Sequence, residues 1–507
     1  MVSKIIGNPA SPVKSIPSAT SAAAQLAPSR RQFLALAGMT RSRPLAALAR
    51  ENEVSRKFVY DQIEKANRAL DAAFRPEEND DQRVLFNIPV TKQWLRQLVL
   101  SAILDCHSSG RGVQDFVRNV LDSEMAIGTI HNIVMAAVEK ARLVNSEEDL
   151  SRIRVGVHDE IFQGDPVLVG ADPFSTYCYL LAQEPSRDAE TWAIHLLDLL
   201  KRGLHVEYTV ADAGQGLRAG QAEAWPGVPC RGDVFHAESE MGKMTIYLEN
   251  RAYGCIGARE ALERKMGRAR TKGRGQSFSK KLAIARKEES EAIQLIDDLR
   301  LLAQWMRDDV LSLNGPVASI RRELFDFIVA EMKVREHLAP HRIRPVRIAM
   351  ENQRDQLLAF ADAIDRQLVG ISRKRKVPLK DVRSLFELGR LAPDDPLYWL
   401  KDSALWDRLG LDKYPVVAED VDQILENTVR ASSMIENLNS RLRCYFFLRR
   451  EVGPEYLDLL RFFLNHRRYP RSRKDGHAGK SPAEILQGTT LPHWLEELGF
   501  TRFRKAA

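Results

Sequence analysis

The sequence predicts a multidomain α+β protein, with helical units first, a small strand-rich core next, and a long all-helical stretch before the chain returns to the core. Three observations carry this. Helical apolar spacing runs through residues 45–141, strand-like alternation is confined to 152–236, and from 245 to 417 helical spacing returns without a strand signal. The 507 residues suffice for about three or four domains. No run of about 18 apolar residues is present, so no membrane span is expected. Cys106, Cys178, Cys230, Cys255 and Cys444 form no C-x-x-C pair, which argues against a disulfide framework or structural zinc site and for a reducing compartment. A net charge of +7 suggests a polyanionic partner only mildly, so placement matters more than the sum.

Residues 1–28 are rich in Ala, Ser and Pro and are read as disordered. Ser29-Arg30-Arg31-Gln32-Phe33-Leu34 imitates a twin-arginine export signal, but its apolar stretch is short, meets Arg41 and Arg43 at once and lacks a cleavage site. Residues 29–82 are assigned to a helix-turn-helix domain. Leu45, Leu48 and Ala49 mark one helix, Asn52-Glu53-Val54 a turn, and Ser55 the N-cap of a second helix with Val59, Ile63 and Ala66 inward. That helix would present Arg56, Lys57 and Tyr60 to a DNA major groove. Residues 83–148 read as a second helical or helix-turn-helix domain, with Thr129 and His131 near the start of its third helix. A bundle that merely packs gives the same periodicity; two such units in tandem before a core favour DNA binding.

The core's first part is 149–244. Residues 154–162 alternate as a strand with Asp159 inside it, 167–170 and 176–182 follow, 188–201 switch to helical spacing, and 205–210 form a fourth strand with Asp212 at its exit. A fifth strand is expected over 229–236, ending Asp233-x-x-His236. Burying an unpaired carboxylate is costly, so Asp159 and Asp212 demand a chemical reason; Asp172 is better explained as a turn residue. Gly214, Gly216 and Gly220 lack the context of a dinucleotide fingerprint, and Gly479-Lys480-Ser481 lacks the first glycine of a P-loop.

Residues 245–417 read as an all-helical domain, whose clearest helix, 278–313, carries Leu295, Leu299, Leu302 and Met306 on one stripe and Trp305 as a core residue. Before it, the glycine-broken basic run 264–281 is read as a loop tracking phosphates through Arg268, Arg270, Lys272 and Arg274. Over 418–450 one helix is expected, its stripe running Val421, Ile424, Thr428, Ala431, Ile435, Leu438 and Leu442. Turned away from the stripe are Ser432, Ser433, Glu436, Asn439 and Arg443, the last in reach of a phosphate. Residues 451–507 form a basic C-terminal segment.

Strand-strand-strand-helix-strand, with an Asp in the first strand, an Asp past the fourth and a Glu on a late helix, resembles the RNase H-like DDE transposases. Asp212-x-Gly-x-Gly-Leu-x-x-Gly, Trp225-Pro-Gly and Asp233-x-x-His236 are similar to the Mutator-type and related insertion-sequence group, as is the tail from Asn465-His466 to Leu486. One departure is Asp233 where the group's element can carry cysteine, which makes Asp233 a rival of Asp212. The resemblance implies an RNase H-like α/β/α catalytic domain interrupted by an all-α insertion; 436 − 212 = 224 positions leave room for one. It implies Mg²⁺-dependent cleavage at mobile-element ends and strand transfer into target DNA. Two Mg²⁺ ions, with Mn²⁺ as substitute, would be held by Asp159 as the bridging ligand and by Asp212 and Glu436, with His236 supporting the scissile phosphate. Expected partners are element-end and target DNA and further copies of the chain, as a homodimer or larger synaptic complex. No membrane is involved, and the expected location is the cytoplasm, associated with a bacterial nucleoid. The alternatives are a catalytically silent, sequence-specific DNA-binding protein derived from a transposase, or an RNase H-like nuclease on structured nucleic acid.

Overall fold

The computed structural model describes residues 22–74, 84, 87–271, 278–430, 432–447 and 453–503. The chain divides into two units, 1–89 with 505–507, and 90–504. In the first, α1 (Ala22–Gln25), α2 (Pro28–Met39), α3 (Leu45–Glu51) and α4 (Arg56–Ala73) are helical. Part of the segment read as disordered is thus a helix, and residues 1–21 lie outside the described residues. Leu34, Ala37 and Leu48 form a small core with Leu26, Leu45, Val54 and Phe58. The turn from α3 to α4 puts Glu53 at a φ of 54°, and the Ser55 hydroxyl caps α4 by accepting from Phe58 N at 3.0 Å.

The second unit opens with α5 (Lys92–Leu104), α6 (Gly110–Leu121) and α7 (Ile127–Glu147). Then follow β1 (Val155–Gln163), β2 (Asp165–Ala171), β3 (Cys178–Gln183), α8 (Ala189–Lys201), β4 (Tyr208–Ala211), α9 (Gln215–Ala224) and β5 (Cys230–Gly232). The five strands form one mixed sheet in the order β3-β2-β1-β4-β5. Strand β1 pairs antiparallel with β2 and parallel with β4; β2 pairs antiparallel with β3, and β4 parallel with β5.

Period-two alternation divides the strand residues between two cores. Val155, Val157, Ile161, Val169 and Val210 face one that includes the apolar sides of α5, α6 and α7, so residues 83–148 contribute three helices to the sheet's own core. Leu168, Tyr179 and Leu180 face the other, built with Trp192 and Leu196 of α8 and Leu217 and Trp225 around α9.

Strand β5 stops at Gly232, short of the expected end at His236. Asp233 turns the chain into a helix by accepting from Phe235 N at 2.9 Å, and α10 (Val234–Arg270) begins. A Cβ on Gly232 would sit 3.0 Å from Leu357 N, so only glycine lets the later helix that carries Leu357 lie against this edge strand. After α10 come α11 (Ser279–Trp305), a π-helical turn (Met306–Val310), α12 (Ala318–Arg335), α13 (Pro340–Arg375), α14 (Leu379–Leu388) and α15 (Pro396–Asn427). These helices enclose a core of their own from Val234 to Ile424, centred on residues such as Leu299, Phe325, Met332 and Phe386.

Three sequence-based expectations change here. Residues 264–270 of the basic run are the end of α10 rather than loop, because nothing in Arg264–Arg270 stops a helix. Trp305 is 37 % exposed and leans on Phe327, so it is no core residue. The single helix over 418–450 is two: Val421 and Ile424 end α15 in the insertion's core, whereas Ile435, Leu438 and Leu442 belong to α16 (Ser433–Phe446) in the sheet's core. The chain closes with α17 (Pro454–His466), α18 (Pro482–Gln487) and α19 (Trp494–Glu497). Among the described residues no helix is long and apolar enough to cross a membrane.

Where the helical insertion leaves and rejoins the core, its two ends are tied. Asp233, 4 % exposed, accepts from Ser432 N at 3.0 Å and from the Ser432 hydroxyl, while Val234 N donates to Arg430 O at 3.0 Å. Asp233→Ala removes a helix cap and strands the buried Ser432 donors, so it should destabilise the protein by about 2–4 kcal/mol in urea unfolding. Asp233→Asn should cost clearly less.

Candidate active site

Strand pairing assembles the first half of the site. The parallel ladder ends with His158 opposite Ala211, and Asp159 and Asp212 are the next residues of the two segments. Laterally paired residues point to the same side, and Asp159 shares its face with Val157 and Ile161, the face that α16 covers. Asp212 stands one residue past β4, where its Oδ1 accepts from Gly214 N at 2.9 Å and its carbonyl from Arg218 Nε at 2.8 Å. The neighbouring glycines serve packing: a Cβ on Gly216 would lie 2.1 Å from Arg187 O, and one on Gly220 2.5 Å from Ala189 O. They let α9 press against the start of α8 and hold the Asp212 turn.

Helix α16 brings the second half. Ile435, Leu438 and Leu442 seat it on the sheet, and this rotation turns Glu436 and Asn439, one helical turn apart, toward β1. Asn439 Nδ2 donates to Asp159 Oδ2 at 2.7 Å, while Glu160 N donates to Asp159 Oδ1 at 2.8 Å. Asn439 is 2 % exposed, and its Oδ1 has no hydrogen-bond partner among the described residues.

Burial pushes the Asp159 carboxyl up to about 6, and the charges of Asp212 and Glu436 add to the rise, against the opposing bonds from Glu160 N and Asn439. Asp159 thus senses two carboxylates from other parts of the chain. Among the described residues no three acidic, histidine or cysteine side chains form a group that could hold a metal ion. The neighbouring cation, Arg187, donates to Glu160 Oε2 at 2.6 Å and senses Asp212 as well. On the opposite face of β1, His158 is buried among Tyr179, Trp192 and Trp225, and burial drives it down to about 3, so it is neutral. Its Nε2 meets Tyr179 OH at 2.9 Å.

The other expected residues lie on several elements. His236 is exposed on the first turn of α10 rather than in β5, and no hydrogen bond or ion pair joins it to the carboxylates among the described residues. Asp233 has both oxygens engaged by Phe235 N and Ser432, which removes it as a rival of Asp212. Asp172 binds Ser175 N at 2.8 Å and is a turn residue. Arg443 is exposed two turns beyond Glu436. Arg56, Lys57 and Tyr60 are exposed on the first turns of α4, as are Thr129 and His131 on α7. Arg268 and Arg270 are exposed in the last turn of α10; Lys272 and Arg274 lie outside the described residues. Sequence reasoning misses the bond from Asn439 to Asp159, although the spacing of three from Glu436 is a readable signal.

The chain matches no model of a known protein family, and no curated protein sequence is significantly similar to it.

Because the folded pKa of Asp159 lies above its ordinary 3.8, its ionised form costs stability: not at all below pH 3.8, increasingly up to about 6, and fully above. Glu436→Gln removes one of the like charges. In chelator-containing buffer it should raise stability near pH 7 by on the order of 0.5–1 kcal/mol, a gain that disappears below about pH 4, read by urea unfolding across pH.

Proposed function

We propose that the chain is a DNA transposase of the DDE type, with an RNase H-like core split by an all-helical insertion. The observation that supports it is that the charges of Asp212, just past β4, and of Glu436, beyond the insertion, both act on Asp159 in β1. The strand order β3-β2-β1-β4-β5, with helices on both faces, supports the same reading.

The residues present fit divalent cations. The donor set is hard oxygen, burial and then the neighbouring carboxylates raise Asp159, and the buried Asn439 Oδ1 is an acceptor without a donor among the described residues. Asp159, Asp212 and Glu436 would hold two Mg²⁺ or Mn²⁺ ions, which when bound activate the attacking oxygen and offset charge on the leaving one. Asn439 keeps the Asp159 carboxylate turned to the site, and Arg187 limits the repulsion at Asp212. In the first unit, Arg56, Lys57 and Tyr60 would read element ends, joined by Thr129 and His131 on α7 and by Arg268 and Arg270 on α10 for backbone contacts. The partners are then element ends, target DNA and further copies of this chain, in the cytoplasm.

The test is Mg²⁺-dependent nicking of duplexes taken from the borders of the gene. Asp159→Ala, Asp212→Ala and Glu436→Ala should each lower the rate by at least about 10³-fold, the loss of several kcal/mol of transition-state stabilisation, with DNA retention unchanged. Full activity in all three variants would end the proposal.

A further inference from the structure

The C-terminal segment holds an ordered basic loop between α17 and α18. Residues 467–480 carry Arg467, Arg468, Arg471, Arg473, Lys474 and Lys480 against one acid, Asp475. Half of these cations are engaged within the protein. Arg467 pairs with Asp105 at 3.7 Å, Arg468 makes a two-pronged bond to Glu484, and Lys474 Nζ donates to Pro173 O at 3.1 Å. Arg471, Arg473 and Lys480 are exposed and make no ion pair with any described residue.

The loop is held in shape. Tyr469 N donates to Lys480 O at 2.9 Å and Gly479 N to Tyr469 O at 2.8 Å, closing its neck, and Gly476 and Gly479 take φ values of 74° and 77° to do so. The Tyr469 hydroxyl bonds Thr176 Oγ1 at 2.5 Å, fastening the neck to the turn between β2 and β3. Such fixing lowers the entropy cost of ordering cations around a ligand.

The neck also touches the helix that carries the acidic site. The Arg441 guanidinium lies over the Tyr469 ring at 5.9 Å. Arg441 is five residues beyond Glu436, about 7.5 Å along α16 and about 140° round it, hence on the opposite flank. Between the two flanks the exposed positions of α16 are Ser433, Asn437, Ser440 and Cys444, short side chains with no acid among them. A strip without negative charge therefore leads from the carboxylates over α16 to the loop.

We infer that the loop at 467–480 grips the phosphates of the duplex DNA whose backbone crosses α16 into the acidic site. The inference rests on the transposase reading for the identity of the polyanion. Three carboxylates repel a phosphodiester, so the backbone flanking the reacting bond needs cations outside that repulsion, and Arg471, Arg473 and Lys480 supply them. Direct ion pairs to phosphate release counterions and leave a measurable salt signature.

The test uses the full-length chain and a fluorescent duplex of about 30 base pairs, with affinity followed by anisotropy across a sodium chloride series in chelator. The triple variant Arg471→Gln, Arg473→Gln, Lys480→Gln should flatten the slope of log affinity against log salt by about 2.7, or about 0.9 for each phosphate left without its cation. Single variants Arg473→Gln and Lys480→Gln, which leave the neck intact, should each flatten it by about 0.9 and serve if the triple variant misfolds. A wild-type protein that cleaves DNA while these variants keep its slope would overturn this inference and leave the transposase reading standing. A flattened slope with no cleavage by the wild type would support the loop as a DNA surface and remove the transposase reading. A wild type that no duplex retains at low salt would overturn both.

Discussion

The register of one parallel strand pair decides where the two aspartates of the core stand. The parallel ladder between β1 and β4 ends at His158 and Ala211, one residue before Asp159 and Asp212, and a slip of one residue would send Asp159 to the opposite face. The register resists this because Val155, Val157 and Ile161 face one core while His158 and Glu160 face the other surface, where Trp192 Nε1 and Arg187 bind the Glu160 carboxylate. The repulsion raised by that arrangement is opposed by apolar burial on both sides of the sheet.

Support for this strand is itself layered. Beneath Asp159, His158 stays neutral and bonded to Tyr179, whose ring lies against Gly156 and Gly170; a Cβ at either position would come within 2.6 Å of it. The small residues on β1 and β2 are therefore spaces occupied by an aromatic, and the aromatic stiffens the strand that bears the acid. Above Asp159, Asn439 answers the carboxylate from α16. Both neighbours act on orientation, which a divalent site requires within narrow limits.

Much of this is legible in the sequence and some is not, for identifiable reasons. Strand alternation and the switch to helical spacing mark the order of elements through β4, and the placement of Asp159 and Asp212 follows from a charge where apolar neighbours demand none. Glu436 stands out through its helical face. The break between α15 and α16 is hidden because one continuous apolar stripe does not reveal that Val421 and Ile435 face different cores. The end of β5 is easily misplaced because Asp233 caps a helix whose first turn, Val234-Phe235-His236, reads equally well as strand. The bond between Asp233 and Ser432 joins positions 199 apart, a tertiary fact no local pattern contains.

That joint bears on how such a chain can change over time. With departure and return tied at one spot, the helical excursion behaves as a cassette clipped onto the core by its two stems. Lengthening or trimming its distal helices alters chain closure only logarithmically and moves no strand. Variation can then accumulate at the far tips of α10 and α11 while the stems and the carboxylates stay where they are.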